Sequence, residues 1–309
     1  MQNAETIAAE LAARVSDTTV IRCHEPLARR TTLRVGGPAD VFVEPSSEAD
    51  LASAIKYCSA NGVAHLTLGR GSNLLVRDGG IRGVVISLAN ECFSHIQVDG
   101  QRLRCGAGAR LKNVAVEARR NNLSGVEFLE GIPGSVGGAL RMNAGAMGGE
   151  TFGAVESIRV MDIAGRVHEL PAGQIIVEYR CCPLLMDRIA LGAVFKCAPA
   201  PREDIERRMS QFNTKRWESQ PAKPSAGCTF KNPPTIPAGR LIEELGLKGK
   251  RVGDAMVSFE HGNFIVNDGK ASARDVLELI GLIQRKARAE RGVELNTEVE
   301  IVGEDPGDA

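Results

Sequence analysis

Three short stretches gather the reactive side chains of this chain. They are Glu178-Tyr179-Arg180-Cys181-Cys182, the run from Lys223 to Pro233 around Cys228 and Lys231-Asn232, and Glu294 to Glu298 near the C-terminus. A guanidinium such as Arg180 can stabilise negative charge that develops during a reaction. A thiol such as Cys228, with an ordinary pKa of about 8.5, yields a proton far more readily than a serine hydroxyl. Each has a plainer reading. An isolated arginine is more often a surface ion-pair partner. Glu298 alternates with Val299 and Ile301 in an expected final strand, which fits solvent exposure equally well. Cys228 is expected in a turn between prolines, where a side chain is presented with fixed geometry, yet alone it reads as an inert core thiol.

Two glycine-rich loops narrow the chemistry. Between Glu127 and Glu150 stand glycines 131, 134, 137, 138, 145, 148 and 149, and a second loop, Gly69-Arg70-Gly71-Ser72-Asn73, follows an expected strand. Such density persists where backbone must take φ > 0 or turn bare N–H groups toward an anion. Neither loop is a P-loop, which needs Lys-Ser/Thr after its last glycine, nor a Rossmann fingerprint opening a helix. After Gly71 come Leu74-Leu75-Val76, then Asp78-Gly79-Gly80 and a second apolar run, the pattern of strand, turn, strand. Two cradles imply a ligand with two phosphates, hence a dinucleotide; tight turns alone are the plain alternative.

The elements that would position these residues alternate in type. Helices are expected over 48–61, closed by Asn61-Gly62, and over 110–121. A hairpin turns at Asp99-Gly100, and residues 155–196 read mainly as strand with a hairpin at Ala164-Gly165. After the stiff connector Ala198-Pro199-Ala200-Pro201, helices are expected near Ile205 to Phe212, at 238–245 and at 273–291. The last has a capping box at Ser272 and Asp275 and ends at Gly292. Segments 254–258 and 264–267 flank the turn Glu260-His261-Gly262-Asn263, to which no role is assigned.

Bulk properties remove whole classes of function. With 309 residues the chain buries a substantial core. Lys+Arg and Asp+Glu balance at 38 each, so no net field favours nucleic acid. The N-terminal MQNAETIAAELAAR lacks a signal-peptide pattern, and no apolar run is of membrane-spanning length, so a soluble cytoplasmic protein is expected. Eight cysteines without C-x-x-C or zinc spacing argue against a metal site and, Cys228 apart, read mostly as small buried apolar residues.

Taken together these segments resemble the bacterial UDP-N-acetylenolpyruvoylglucosamine reductases along nearly the whole chain. Thr31-Thr32-Leu33-Arg34-Val35-Gly36-Gly37-Pro38-Ala39, the G-x-G-S-N-L-L-V run at 69–76, G-I-P-G-S-V-G-G-A at 131–139 and M-N-A-G-A at 142–146 look like that family's FAD-binding signatures. Tyr179-Arg180, P-S-A-G-C-T-F-K-N-P at 224–233 and T-E-V-E at 297–300 follow the order of its active-site motifs. The chain runs from Tyr179 to the closing strand without a long insertion, so it resembles the shorter, second type.

The resemblance implies an α+β fold: a vanillyl-alcohol-oxidase-type, two-subdomain FAD-binding domain at 1–200, split near 90, and a C-terminal α+β substrate domain at 201–309 whose last strand carries Glu298 back toward the flavin. It implies FAD held noncovalently by Gly69, Gly71, Ser72, Asn73, Leu74, Gly131, Ile132, Gly134, Ser135, Gly137, Gly138, Asn143 and Gly145, with NADPH as reductant. The implied substrate is UDP-N-acetylglucosamine enolpyruvate, and neither nucleic acid nor membrane is an expected partner. Arg180, assisted by Glu298, would stabilise the enolate-like charge, and Cys228 would protonate the α-carbon. Tyr179, Arg216, Lys231 and Asn232 would bind substrate. Cys228 departs from the serine usual at this site, and Cys181-Cys182 from the usual polar residue and serine. The rival readings are another FAD-dependent oxidase or dehydrogenase of the superfamily, or a catalytically silent flavin-binding module.

Overall fold

Why the long helices form is legible in their ends and stripes. Helix Glu48–Asn61 starts where the Ser47 hydroxyl accepts the Asp50 N–H, and stops at Gly62, whose φ of 63° closes it in the left-handed region. Between the caps Leu51, Ala54, Ile55 and Cys58 form its buried stripe. The helix Ala273–Arg291 carries the expected capping box from Ser272 and Asp275 and ends at left-handed Gly292. Each of its buried residues Leu279, Ile280 and Ile283 contributes on the order of 1.5–3 kcal/mol by leaving water.

A computed structural model describes residues 3–307; positions 1–2 and 308–309, the outer ends of the expected domains, lie outside them. The chain forms two compact units, each discontinuous in sequence. One gathers the chain through Cys23, Val41–Arg70 and Gly83–Lys215; the other gathers His24–Asp40, Gly71–Arg82 and the chain from Arg216 onward.

The first unit is built around a five-stranded antiparallel sheet ordered Val167–Pro171, Val155–Met161, Ile189–Lys196, Arg102–Gly106, Ile96–Asp99. Its middle strand is buried from Ile189 to Phe195, which explains why that stretch is a continuous apolar run without alternation. Helices Glu48–Asn61 and Leu111–Arg120 pack their apolar stripes into the same core. His65–Leu68 pairs in parallel with Ile81–Ser87, so the two strands that flank the first glycine loop belong to different ladders.

In the second unit the sheet runs Ser225–Cys228, Phe264–Asn267, Ala255–Val257, Arg251–Val252, all antiparallel. Residues of the helices Ala238–Glu244 and Ala273–Arg291 share its core. Leu74–Val76 pairs in parallel with the last strand, Glu300–Val302. Two expectations are corrected here. Glu298 precedes the last strand, because the backbone of 297–299 is drawn aside to bond residues 229 and 230. Cys228 ends a strand opposite Phe264, where a bare turn was expected, and left-handed Gly227 supplies the irregularity before it. Among the cysteines, 58, 105, 182 and 197 are buried as expected, whereas Cys23 and Cys92 are exposed.

Candidate active site

In the first unit the second glycine loop is strapped down by its own backbone. The N–H groups of Val136 and Gly137 donate to the carbonyls of Ala109 and Ala107 at 2.9 and 2.8 Å, and Leu111 N–H donates to Gly134 O at 3.1 Å. A Cβ on Gly137 would lie 3.1 Å from that of Ala107, a tight contact that a larger residue could make only by pushing Ala107 back. Gly131, by contrast, meets nothing within 4 Å. Ser135 is 4% exposed. Its Oγ lies 2.9 Å from where a Cβ on Gly69 would stand and 3.6 Å from that of Gly138, so the opening of the first loop and the serine of the second share one small space.

Several donors beside that space lack a protein partner. Among the described residues, the Ser135 hydroxyl and the amides of Gly69, Arg70 and Gly138 have no protein acceptor. Arg110 forms a β-bridge with Ser135, and Arg70 follows Gly69. Partial desolvation, and then the charge of Arg110, holds the Arg70 guanidinium below its ordinary pKa although the residue is exposed, and no carboxylate pairs with either arginine among the described residues. Amides and a hydroxyl without protein acceptors, beside a space left bare by two glycines and next in the chain to two arginines, are the kind of donors a diphosphate takes. These residues fit the pyrophosphate of FAD.

Asn143 does local work. Its backbone is at φ 37°, its Oδ1 accepts Phe152 N–H and its Nδ2 donates to Glu150 Oε2, both at 3.2 Å. Beyond it, a Cβ on Gly145 would stand 3.3 Å from Nη1 of Arg180, which places the expected charge-stabilising cation against the glycine hairpin. Arg180 sits at the tip of a tight turn in which Glu178 and Cys181 exchange backbone hydrogen bonds of 2.8 and 3.2 Å. Its φ is 57°, and its guanidinium lies 4.7 Å from the ring centre of half-exposed Tyr179.

The second unit brings together the rest. Gly71 is left-handed, and a Cβ there would fall 2.6 Å from Arg30 O. Its carbonyl accepts Thr32 N–H, while the Thr32 hydroxyl donates to Ser225 O at 2.7 Å. The amides of Gly71 and Ser72 have no protein acceptor among the described residues. Gly227, next to Cys228, approaches Ser72 O to 3.8 Å counted from its missing Cβ. Asn73 Nδ2 donates to Glu298 O at 3.1 Å, and Glu300 N–H donates to Asn73 O at 3.0 Å, ahead of buried Leu74. Thr229 O accepts Glu298 N–H at 2.8 Å. The expected phosphate loop, thiol and carboxylate are therefore joined through backbone.

Of the expected sugar-nucleotide contacts, Lys231 is exposed. Asn232 spends its Oδ1 on the first N–H of the helix Ala238–Glu244 at 3.0 Å, leaving its amide N–H groups for a ligand. Arg216 lies 5.9 Å from the ring centre of its neighbour Trp217, its pKa lowered by burial. The sequence reading gave no role to Asn263, whose side chain binds the backbone of Phe230, nor to the Thr32 hydroxyl. The signal for Asn263 was present: an Asn one residue beyond a glycine in a turn, followed by an apolar strand. No helix of the described residues is long and apolar enough to cross a membrane, and no group of three or more His, Cys, Asp or Glu among them could hold a metal ion.

Comparison with known proteins shows the family of the chain. Residues 39–171 match the family model described as FAD binding domain, and residues 220–302 match that of the UDP-N-acetylenolpyruvoylglucosamine reductase C-terminal domain. The UDP-N-acetylenolpyruvoylglucosamine reductase of Clostridium novyi is 44% identical over 277 residues, covering 89% of this chain and 90% of that one. That of Clostridium tetani is 41% identical over 287 residues, 92% and 93% of the two chains. The crystal structure of the reductase from Thermus caldophilus superposes with a TM-score of 0.80 at 41% identity, covering 92% of this chain and 99% of that one.

Proposed function

Because the chain belongs to the UDP-N-acetylenolpyruvoylglucosamine reductase family, we propose that it reduces the enolpyruvyl group of UDP-N-acetylglucosamine enolpyruvate to the lactyl ether, giving UDP-N-acetylmuramate for peptidoglycan synthesis. The observation that carries this reading is the space between Gly69 and Ser135, flanked by donors without protein acceptors, which suits a dinucleotide diphosphate. We assign FAD binding to residues 1–200 and sugar-nucleotide binding to 201–309, with a vanillyl-alcohol-oxidase-type pair of subdomains in the former. The matched ranges 39–171 and 220–302 support that division. The enzyme works in the cytoplasm, and its partners are small molecules only.

FAD, held noncovalently, supplies the two-electron relay between NADPH and the enolpyruvyl ether. Reduction at the β-carbon drives negative charge into the substrate carboxylate, and the Arg180 guanidinium, assisted by Glu298, stabilises it. The Cys228 thiol then gives its proton to the α-carbon and is reprotonated from solvent. Tyr179, Arg216, Lys231 and Asn232 hold the sugar nucleotide. Serine and cysteine differ little in size and both donate a proton, so the exchange preserves the role while exposing it to oxidation.

The test is direct. Purified protein is expected to be yellow, to bleach with NADPH under anaerobic conditions, and to regain its colour when the enolpyruvyl sugar is added without oxygen. Recovery by oxygen but not by that sugar would favour an oxidase, and a colourless protein that takes up no FAD would remove the flavin reading altogether.

A further inference from the structure

We propose that Asn263 is a positioning residue for the proton-donating thiol: its carboxamide clamps the peptide of Phe230 and so fixes Cys228 relative to Glu298. The inference rests on the reading of Cys228 as the acid and deepens it. Asn263 is 3% exposed, and its side chain completes a two-bond pairing with one residue. Oδ1 accepts Phe230 N–H at 2.9 Å, and Nδ2 donates to Phe230 O at 2.8 Å. Its own carbonyl accepts Thr229 N–H at 2.8 Å. The carbonyl of Thr229 in turn accepts Glu298 N–H. Both residues after Cys228 are thus held by Asn263, and one of them holds the carboxylate-bearing segment.

Chemistry explains why asparagine is needed. Only a carboxamide offers one acceptor and one donor in the plane and spacing of a peptide, so it can take the place of a neighbouring strand where Phe230 has none on that side. An aspartate would accept from Phe230 N–H yet set a charged oxygen against Phe230 O. A buried carbonyl that loses such a partner keeps its full desolvation penalty. More important for catalysis, a proton donor displaced by a fraction of a bond length loses its line to the carbon it must protonate.

The experiment separates the two half-reactions by stopped flow. In Asn263→Ala, bleaching of the flavin by NADPH should stay near the wild-type rate. Anaerobic recovery of colour with the enolpyruvyl sugar should slow by roughly ten- to a hundredfold, the scale of a misplaced catalytic group. In Asn263→Asp the same defect should shrink as pH is lowered, because the protonated carboxyl regains a donor for Phe230 O, whereas the alanine variant should show no such recovery. Alkylation of Cys228, followed by peptide mapping in both variants, should change rate relative to wild type. Equal loss in both half-reactions together with a lowered melting temperature, or unaltered recovery of colour, overturns the proposal. If the alanine variant fails to fold, the pH dependence and the alkylation rate of Asn263→Asp decide. Failure of the wild-type enzyme to recover colour with the sugar would sink the parent reading instead, and is read before any variant.

Discussion

Arg180 projects from the tip of a tight turn with its backbone in the left-handed region and half-exposed Tyr179 beside it, whereas Cys228 ends a strand whose next two residues are held by buried Asn263. The cation is presented by a strained, solvent-facing turn and the thiol by a lattice of hydrogen bonds. The difference matches the role proposed for each group. A charge acts over several ångströms and tolerates small displacement. A proton crosses a single hydrogen-bond length and does not.

The largest effect expected from breaking this contrast is at the thiol. Cys228→Ala should leave reduction of the flavin by NADPH nearly intact and slow its recovery by the enolpyruvyl sugar by roughly 10²–10⁴-fold, the usual worth of a positioned acid. Cys228→Ser should keep much of the activity. Stopped-flow traces of the two half-reactions check both statements, and a matched loss in the two halves would mean that Cys228 serves folding.

At Arg180 the expected outcome is split between stability and rate. Glycine takes φ near 57° without the Cβ clash that costs an L-residue about 1–2 kcal/mol, less the entropy that glycine loses on folding. Arg180→Gly should therefore melt no lower than wild type while its recovery rate falls by roughly 10²–10³-fold, the cost of removing one group that stabilises developing charge. Calorimetry and single-turnover kinetics on one preparation supply the pair of numbers. A variant that is both less stable and slower would place Arg180 among the residues that hold the turn together.

The same contrast explains what the sequence made legible. The helices 48–61 and 273–291 were readable to the residue because caps and stripes are local. The two glycine loops were readable as cradles because absent side chains leave a mark in composition. Their meeting at Gly69 and Ser135 was not, since nothing in the spacing of the two loops says that one opens against the other. Glu298 was drawn as a strand residue from its alternation with Val299 and Ile301. Tertiary bonding of its N–H to Thr229 O delays the strand to Glu300, and such a long-range bond has no local signature. The motifs of Asn143 and Asn232 point to ligand contacts, and both also give Oδ1 to neighbouring backbone, which short polar side chains in turns often do and which no motif announces.

The smallest expected effect sharpens the comparison through pH. His261 Nδ1 accepts Asn263 N–H at 3.1 Å, so this bond requires the ring nitrogen unprotonated, and the ring packs edge-on against Phe264 at 5.0 Å. Burial first, then the charge of Lys248, holds the His261 pKa below its ordinary value, with Glu243 pulling the other way. A base whose pKa is lowered by folding resists protonation in the folded state. Its stabilising contribution is then complete above the unfolded value of about 6.5 and is lost as pH falls from there toward the lowered folded value. The pKa of His65, on an exposed strand position, is shifted downward too, so the informative quantity is the difference between wild type and His261→Gln. Chemical denaturation at a series of pH values should show a shallower acid slope in His261→Gln, and recovery of colour by the sugar should lose part of its acid sensitivity in step. An unchanged slope would detach the histidine from the Asn263 clamp and leave the thiol arm as insensitive to acid in this range as the guanidinium arm.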